Sequence, residues 1–270
     1  VTYGFPTVAD MVAATDIVVG MKVSTVVNNT TSNTGGSSYV IVSLASATTS
    51  NIPVDEMINH TLQNGLVAVI ESEWKTFNVE RAGAIPNQDA TLNIQAVINE
   101  LHRRGGGEAL CPDKYTTSGT VLQRGVSIVG IASTVSELMA AAGGSAGIVS
   151  IASGQVNGAH IKRIRITGHT SNPNQWGILA DAVEAGGVGG WWQSSIEDVD
   201  IRDVNFGIHL KGGITGANMP HQFITIRGTT VKRNNFNGES FRCSGQVDQI
   251  KSVNTLYDAV GGTTQGVNVI

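Results

Sequence analysis

FNVERAGAIPNQDATLNIQAVINELHRRGGGEALCPDKYTTSGTVLQRGVSIVG, residues 77–130, holds in order a short strand pattern, a polar loop, one strongly periodic helix, a glycine stop and a run of β segments. After Asp89, the spacing of Leu92, Ile94, Val97, Ile98 and Leu101 gives one apolar stripe at helical period. Asp89 or Thr91 can accept the free N–H groups of the first turn, so a helix is expected over about residues 90–104. His102, Arg103 and Arg104 fall in its last turn, where cations suit the negative end of the helix dipole. Gly105-Gly106-Gly107 then supplies the left-handed conformation that ends it.

The order of these pieces resembles the opening of the pectate-lyase-like parallel β-helix domain of phage tailspikes. The pieces are an extended lead-in, Gly83-Ala84, the helix carrying Ile94-Gln95-Ala96-Val97-Ile98, three glycines, a short strand, Pro112 with Tyr115, and Arg124-Gly125-Val126-Ser127-Ile128-Val129-Gly130. The resemblance implies a mainly β protein: a right-handed, single-stranded parallel β-helix over residues 77–270 whose amino-terminal end is capped by the helix. Ala84-Ile85-Pro86-Asn87-Gln88-Asp89 departs from the Gly-Asp-Gly-x-x-Asp-Asp type of loop usual there, a change that touches the cap and not the function.

Residues 1–76 have a different texture. Thr7 and Asp10 form a capping-box pattern ahead of Val8, Met11 and Val12, a short helix ending before Asp16. Met21–Val27, Tyr39–Ser43 and Leu66–Ile70 alternate as strands, with a polar loop over 28–38. This predicts a small α/β module, similar to one that precedes the β-helix in many tailspikes. The resemblance implies a head-proximal connector that meets other virion tail or baseplate proteins, or a trimerisation collar; a plain folding cap fits the residues equally.

The chain has 270 residues, 41% apolar, only 14% charged, with 33 glycines and a net charge of -4. Low charge and abundant glycine fit a β-rich fold with many turns. Near-neutral charge without a basic stripe argues against nucleic acid, which needs clustered Lys and Arg. No apolar run is long enough to cross a bilayer, so membrane insertion is not expected. Cys111 and Cys243 lie far apart in β patterns and read as buried free thiols. No metal-ligand spacing, nucleophile elbow or phosphate loop occurs, so neither metal nor cofactor is expected.

From residue 126 onward a repeat of the form apolar, x, apolar, x, Gly or Asp recurs at Val126–Gly130, Ile164–Gly168, Val199–Asp203 and Ile224–Gly228, more weakly from Ile250. Each copy is followed by a second β segment: Ile148–Ile151, Trp176–Ala180, Phe206–Leu210, Phe241–Cys243 and Leu256–Val260. Such spacing is that of stacked solenoid coils with variable loops. With the copies in register, Arg165, Asp200, Thr225 and Lys251 form one outward column, and Thr167, Arg202 and Arg227 its neighbour. Coils stack about 4.8 Å apart, so Asp200 falls near Arg165 and Arg202. These are either surface ion pairs worth about 0–1 kcal/mol each or a groove for an acidic glycan, with arginines on sugar carboxylates and Asp200 for proton transfer. Trp191 and Trp192, at the tip of a glycine-rich insertion from Glu184, suggest a sugar-stacking platform or a subunit contact.

Glycoside hydrolysis needs two facing carboxyl groups, and Asp181, Glu184, Glu197, Asp198, Asp200, Asp203, Glu239 and Asp248 are too many to choose between. Asp198 and Asp203 stand at turn-like positions. Asp200 and Glu197 are the carboxylate candidates carried forward, and His209, on an outward strand position, is a candidate proton acceptor for a lyase. Three functions stay open. The resemblance implies a virion tailspike or tail-fibre component, a homotrimer acting at the bacterial surface, that recognises and depolymerises capsule or lipopolysaccharide as a polysaccharide lyase or glycoside hydrolase. The others are a structural or adhesive tail protein using the β-helix as a spacer, and a free pectate-lyase-like enzyme. Val267 to Ile270 reads as the start of another β segment, which predicts a longer parent chain and leaves open an active site beyond residue 270 as well as one among the candidates above.

Overall fold

The structure is a computed structural model that describes residues 2–28, 35–71, 75–152, 154–181, 190–212, 221–233, 240–245, 247–259 and 267–269, with backbone alone at 233, 258, 259 and 267–269. Thr2–Phe5 (β1), Lys22–Thr25 (β2), Ser38–Val42 (β3), His60–Thr61 (β4) and Val67–Ile70 (β5) form a sheet in the order β1-β2-β3-β5-β4, antiparallel except between β1 and β2. Helix Val8–Ala13 (α1) starts at the capping box read from the sequence: Thr7 Oγ1 accepts from the Asp10 amide at 3.1 Å and Asp10 Oδ2 from the Thr7 amide at 3.0 Å. The sequence did not signal β1, which is nearly all exposed, the two-residue β4, or helix Leu44–Thr49 (α2), which buries only Ala47. Period-based reading needs an apolar stripe, and these elements have none.

Helix Thr91–Arg103 (α3) forms where expected. Asp89 Oδ1 accepts from the Thr91 amide at 2.9 Å, and Gly105 takes φ 92° just past the end. Ile94, Val97, Ile98 and Leu101 are buried, but Leu92 is 66% exposed and stands outside the stripe. It precedes Ile94 by two positions, and residues two apart do not share a helix face.

Thr76–Asn78 (β6) leads into the solenoid. Its coils are Gly107–Cys111, Lys114–Thr117 and Thr120–Leu122 (β7–β9), then Val126–Gly130, Glu137–Ala140 and Gly147–Ile151 (β10–β12). After Gln155–Asn157 (β13) come His160–Lys162, Arg165–Thr167 and Trp176–Asp181 (β14–β16), then Gly190–Glu197, Asp200–Val204 and Phe206–Lys211 (β17–β19). The last two are His221–Arg227, Thr230–Arg233 and Phe241–Ser244 (β20–β22), and Val247–Val253, Leu256–Ala259 and Val267–Val269 (β23–β25). First strands stack on first, second on second and third on third, making three faces with parallel pairing throughout.

Two parts of the expected register change. A coil has three strands, not two, so Val126–Gly130 and Ile224–Arg227 belong to the first face while Arg165–Thr167 and Asp200–Val204 belong to the second. Leu256–Ala259 pairs with Thr230–Arg233, on the second face, and the partner of Phe241–Ser244 is Val267–Val269. The cause lies in the corners. Asp198, Gly228 and Asn254 turn the first face into the second with φ of 53°, 60° and 48°, and Asp203 (φ 54°) lies near the end of a second-face strand, where pairing with the next coil shifts register between Ile201 and Val204. Gly168 has no such φ, but a Cβ there would meet Asp203 O at 2.3 Å. Gly or Asp therefore occurs both at the first corner and near the end of second-face strands, and the sequence alone does not separate them.

Inward positions stack by residue type: Ala109, Ile128, Ile161, Ile196 and Ile226 on the first face, Tyr115, Leu138, Ile166, Ile201 and Val231 on the second, all fully buried. Burying each Ile contributes about 1.5–3 kcal/mol. The exposed start of such a stack would leave three strand edges unpaired, and each receives its own cover. β6 pairs with β7. Residues 87–90 pair with β8, as Asn87 N donates to Lys114 O at 2.7 Å and Ala90 N to Thr116 O at 2.9 Å. The Gln95 amide of α3 serves β9, accepting from Val121 N at 2.8 Å and donating to Val121 O at 3.1 Å. Cys111 and Cys243 are buried free thiols, as expected, with pKa values pushed up by burial to about 12 and about 11.

Candidate functional site

Because alternate strand residues face outward, registered coils line up outward side chains in columns. On the second face one column reads Lys114, Glu137, Arg165, Asp200, Thr230, so charge alternates coil by coil. Arg165 Nε lies 3.2 Å from Asp200 Oδ2 and its Nη1 4.0 Å from Glu137 Oε2, while Lys114 Nζ lies 3.7 Å from the same Glu137 oxygen. Arg202, two residues along, puts Nε 2.8 Å from Asp200 Oδ1 and 2.7 Å from Oδ2. Asp200 is thus buried between two guanidinium groups. A carboxylate whose oxygens accept from both serves positioning better than proton delivery.

Above this row opens a groove of about 450 Å³, lined among others by Arg165, Asp198, Asp200, Arg202, Lys232 and Leu256. Those side chains bring three cations against two carboxylates. The arrangement can neutralise an acidic ligand, with Leu256, 53% exposed, offering apolar surface beside the charges.

The sequence-derived candidates are thereby sorted. Arg165, Asp200 and Arg202 come together as expected. Thr225 and Lys251 leave that column, and Arg227 leaves the neighbouring one, because all three stand on the first face. There Arg227 Nη2 donates to Glu197 Oε2 at 2.6 Å, and Ser195 Oγ donates to Glu197 Oε1 at 2.5 Å. The Ser195 hydrogen bond first, and Arg227 after it, hold the Glu197 carboxyl below the usual range, which suits an acceptor and not a general acid.

His209 is not an exposed residue. On the third face it is buried, its ring centroid 4.6 Å from that of Trp176 and its Nε2 2.9 Å from Ser244 Oγ. The tryptophans are not at a loop tip either: both lie in β17. Trp191 is fully buried, its Nε1 donating to Ala159 O at 3.0 Å and its amide to His221 Nδ1 at 3.0 Å, which leaves only half-buried Trp192 in reach of solvent. Asp181 is bonded by Lys211 at 2.7 Å, Asp248 is exposed on β23, Asp198 holds the left-handed corner position its turn-like context suggested, and Asp203, also left-handed, lies within β18. Glu184, Glu239 and the glycine-rich segments before Gly190 and after Gly261 lie outside the described residues. Glu137, Lys114 and Lys232 went unnoticed in sequence, since the alternation of sign appears only once the coils are registered. Among the described residues no group of three or more His, Cys, Asp or Glu is placed to hold a metal ion, and no helix is long and apolar enough to cross a membrane.

Parallel strands stacked on three faces, with a helix over the first coil, define a parallel β-helix. No family model and no curated protein matches the chain by sequence. Among solved structures it is similar to the tailspike protein gp49 of Acinetobacter baumannii bacteriophage Fri1, described as a capsular polysaccharide depolymerase, with TM-score 0.57 and 11% identity over 98% of this chain and 64% of that one. The gp42 tailspike of Acinetobacter phage vb_AbaP_AS12 gives TM-score 0.56 and 14% identity over 97% of this chain and 50% of that one. The A-module of the Azotobacter vinelandii mannuronan C-5 epimerase AlgE4 gives 0.52 and 18% over 70% of this chain and 59% of that one. The chain thus spans about half to two thirds of each of these proteins, and identities this low show a shared fold.

Proposed function

We propose that the chain is part of a phage tailspike, carried on the virion tail, whose β-helix recognises a bacterial surface polysaccharide and whose parent protein depolymerises it. One observation carries the reading. The likeness to two tailspikes runs over 97–98% of the chain, taking in the five-stranded module as well as the solenoid, whereas the likeness to the epimerase covers 70%. On this reading residues 1–76 are a head-proximal module that docks to other tail proteins, residues 77–270 are the front of the β-helix, and the protein is a homotrimer. The buried Trp191 no longer argues for that trimer, and sedimentation equilibrium returning a monomer mass would remove it.

The groove over Arg165, Arg202 and Lys232 favours an acidic glycan. Binding to immobilised capsular polysaccharides tests this. Acidic polymers are expected to be retained and to be released by salt, and the double substitution Arg165→Ala, Arg202→Ala to weaken binding about tenfold or more, at about 1.5–3 kcal/mol per charge-assisted hydrogen bond. Equal retention by the variant would place recognition elsewhere. A second reading, recognition without cleavage at this groove, is favoured by Asp200, which is held between two arginines.

A further inference from the structure

A column of left-handed residues crosses five coils at the bend that opens the first face. Gly125, Gly158, Gln193, Phe223 and Gln249 have φ of 73°, 63°, 49°, 56° and 52°. Register stacks the last four. Asn157 pairs with Trp192 and His160 with Ser195; Trp192 pairs with Gln222 and Ser194 with Ile224; Gln222 pairs with Asp248 and Ile224 with Ile250. Gly125 joins them through its amide, which donates to Asn157 O at 2.9 Å, as that of Gly158 donates to Trp192 O at 3.1 Å. The bend itself accounts for the two glycines. Phe223 is different, because a bulky side chain in the left-handed region is an outlier that costs stability. Its ring is 49% exposed, so burial does not offset that cost, and Gln193 and Gln249 on the coils either side are exposed as well. The fold gains nothing from a phenyl ring there.

A groove of about 590 Å³ leads up to this ring, lined among others by Arg124, Gly125, Gly158 and Gln193. Its lining steps from coil to coil, so it runs along the solenoid axis, and Phe223 stands one coil past its end, about 4.8 Å beyond Gln193. Gly158 keeps it open: a Cβ there would meet nothing within 4 Å. No carboxylate lines it, and apart from His102 at the cap end Arg124 is its only basic side chain. The second-face groove, by contrast, sets three cations against two carboxylates. A hexose carries a face of C–H groups and a rim of hydroxyls; the first suits an aromatic ring and the second suits side-chain amides. An extended hexose polymer also advances by roughly one coil spacing per sugar, so it can keep step with the column.

We infer that the first-face bend is a separate subsite for uncharged hexoses, in which the polymer lies along the solenoid axis and one sugar stacks on the Phe223 ring while Gln193 and Gln249 hydrogen-bond its hydroxyls. The inference rests on the polysaccharide reading above. It divides a heteropolymer between two faces, with acidic sugars on the second and neutral sugars on the first. Phe223 is then a specificity-determining residue, and its strained backbone is retained for the ring it displays.

The test titrates the chain calorimetrically with purified capsular polysaccharides that contain both acidic and neutral sugars, and with neutral glucan, galactan and mannan, at low salt and at about 1 M salt, where screening acts within about 3 Å. The expected result is binding of at least one polymer that survives high salt. Phe223→Asn removes the ring but keeps a residue that tolerates the left-handed region. It should melt no lower than the parent chain and lose about tenfold or more in high-salt affinity. Phe223→Tyr, which keeps the ring, should bind as the parent does, and Arg165→Ala with Arg202→Ala should leave high-salt binding unchanged. Parental affinity in Phe223→Asn, or binding that vanishes entirely at high salt, overturns this proposal and leaves the polysaccharide reading intact. A change of sedimentation mass in Phe223→Asn also overturns it, by assigning the ring to a contact between chains. Failure to bind any of the polymers at low salt overturns both.

Discussion

Asp200 shows how a single residue separates two roles for the charged face. Replacing it by Asn removes the charge shared by Arg165 and Arg202 and should cost about 2 kcal/mol of stability, as hydrogen bonds to charged groups do. The same change frees both guanidinium groups, so affinity for an acidic capsule is expected to rise; a fall, measured by calorimetric titration, would mean that the carboxylate itself contacts the sugar. Buried histidines add a pH dependence. His60 and His221 are nearly inaccessible, and burial lowers the pKa of each. The unfolded chain therefore binds protons that the folded chain does not, and stability is lost as pH falls below about 6.5. Glu100 and Glu197, whose pKa values are lowered, act in the same direction only at lower pH, below about 4.3. Urea midpoints should decline through the higher window, and His221→Gln should flatten that slope; an unchanged slope would clear His221 of the effect. At this scale the sequence was least informative. Arg165, Asp200 and Arg202 could be grouped because they share one pair of strands, but Arg227, Trp191 and His209 were misplaced because burial and facing depend on which corner ends each strand.

At the scale of elements, α3 is a lid held by polar contacts as well as by its apolar stripe. The Glu100 side chain is fully buried; desolvation pushes its pKa up, and the hydrogen bonds from Arg103 and Arg104 outweigh it and hold it low. Glu100→Ala strands those arginines against the core and should cost about 3 kcal/mol in a chemical melt. Gln95→Ala, which uncovers the β9 edge at Val121, should cost about 1 kcal/mol, whereas Leu92→Ser, on the exposed side, should stay within about 0.5 kcal/mol. A large loss from Leu92→Ser would mean that another surface covers α3. Helix and cap were legible because a 3.6-residue stripe between an Asp and three glycines has one reading. The coils were legible as period-two segments but not as triplets: strands such as Arg165–Thr167 and His160–Lys162 are too short to be told apart by pattern.

For the whole molecule, the five-stranded sheet meets the β-helix at the end of α3, where Arg104 Nη2 donates to Ile70 O at 3.4 Å, and at Arg81, whose Nε donates to Ser37 Oγ at 3.1 Å. Core isoleucines repeat from coil to coil, so Ile161→Ala and Ile196→Ala should each cost about 2–5 kcal/mol. Because the two are stacked neighbours, their double substitution should depart from additivity, and simple additivity in urea titrations would show the coils to be independent. The solenoid as a whole was legible, since only stacked strands make use of so many short alternating segments between variable loops. What the molecule binds is the claim on which the rest depends. Labelled protein mixed with encapsulated bacteria and with isogenic capsule-free cells measures it most directly: retention by the encapsulated cells, lost on the capsule-free ones and weakened by Arg165→Ala with Arg202→Ala, is the predicted result, and equal retention by both kinds of cell would contradict it.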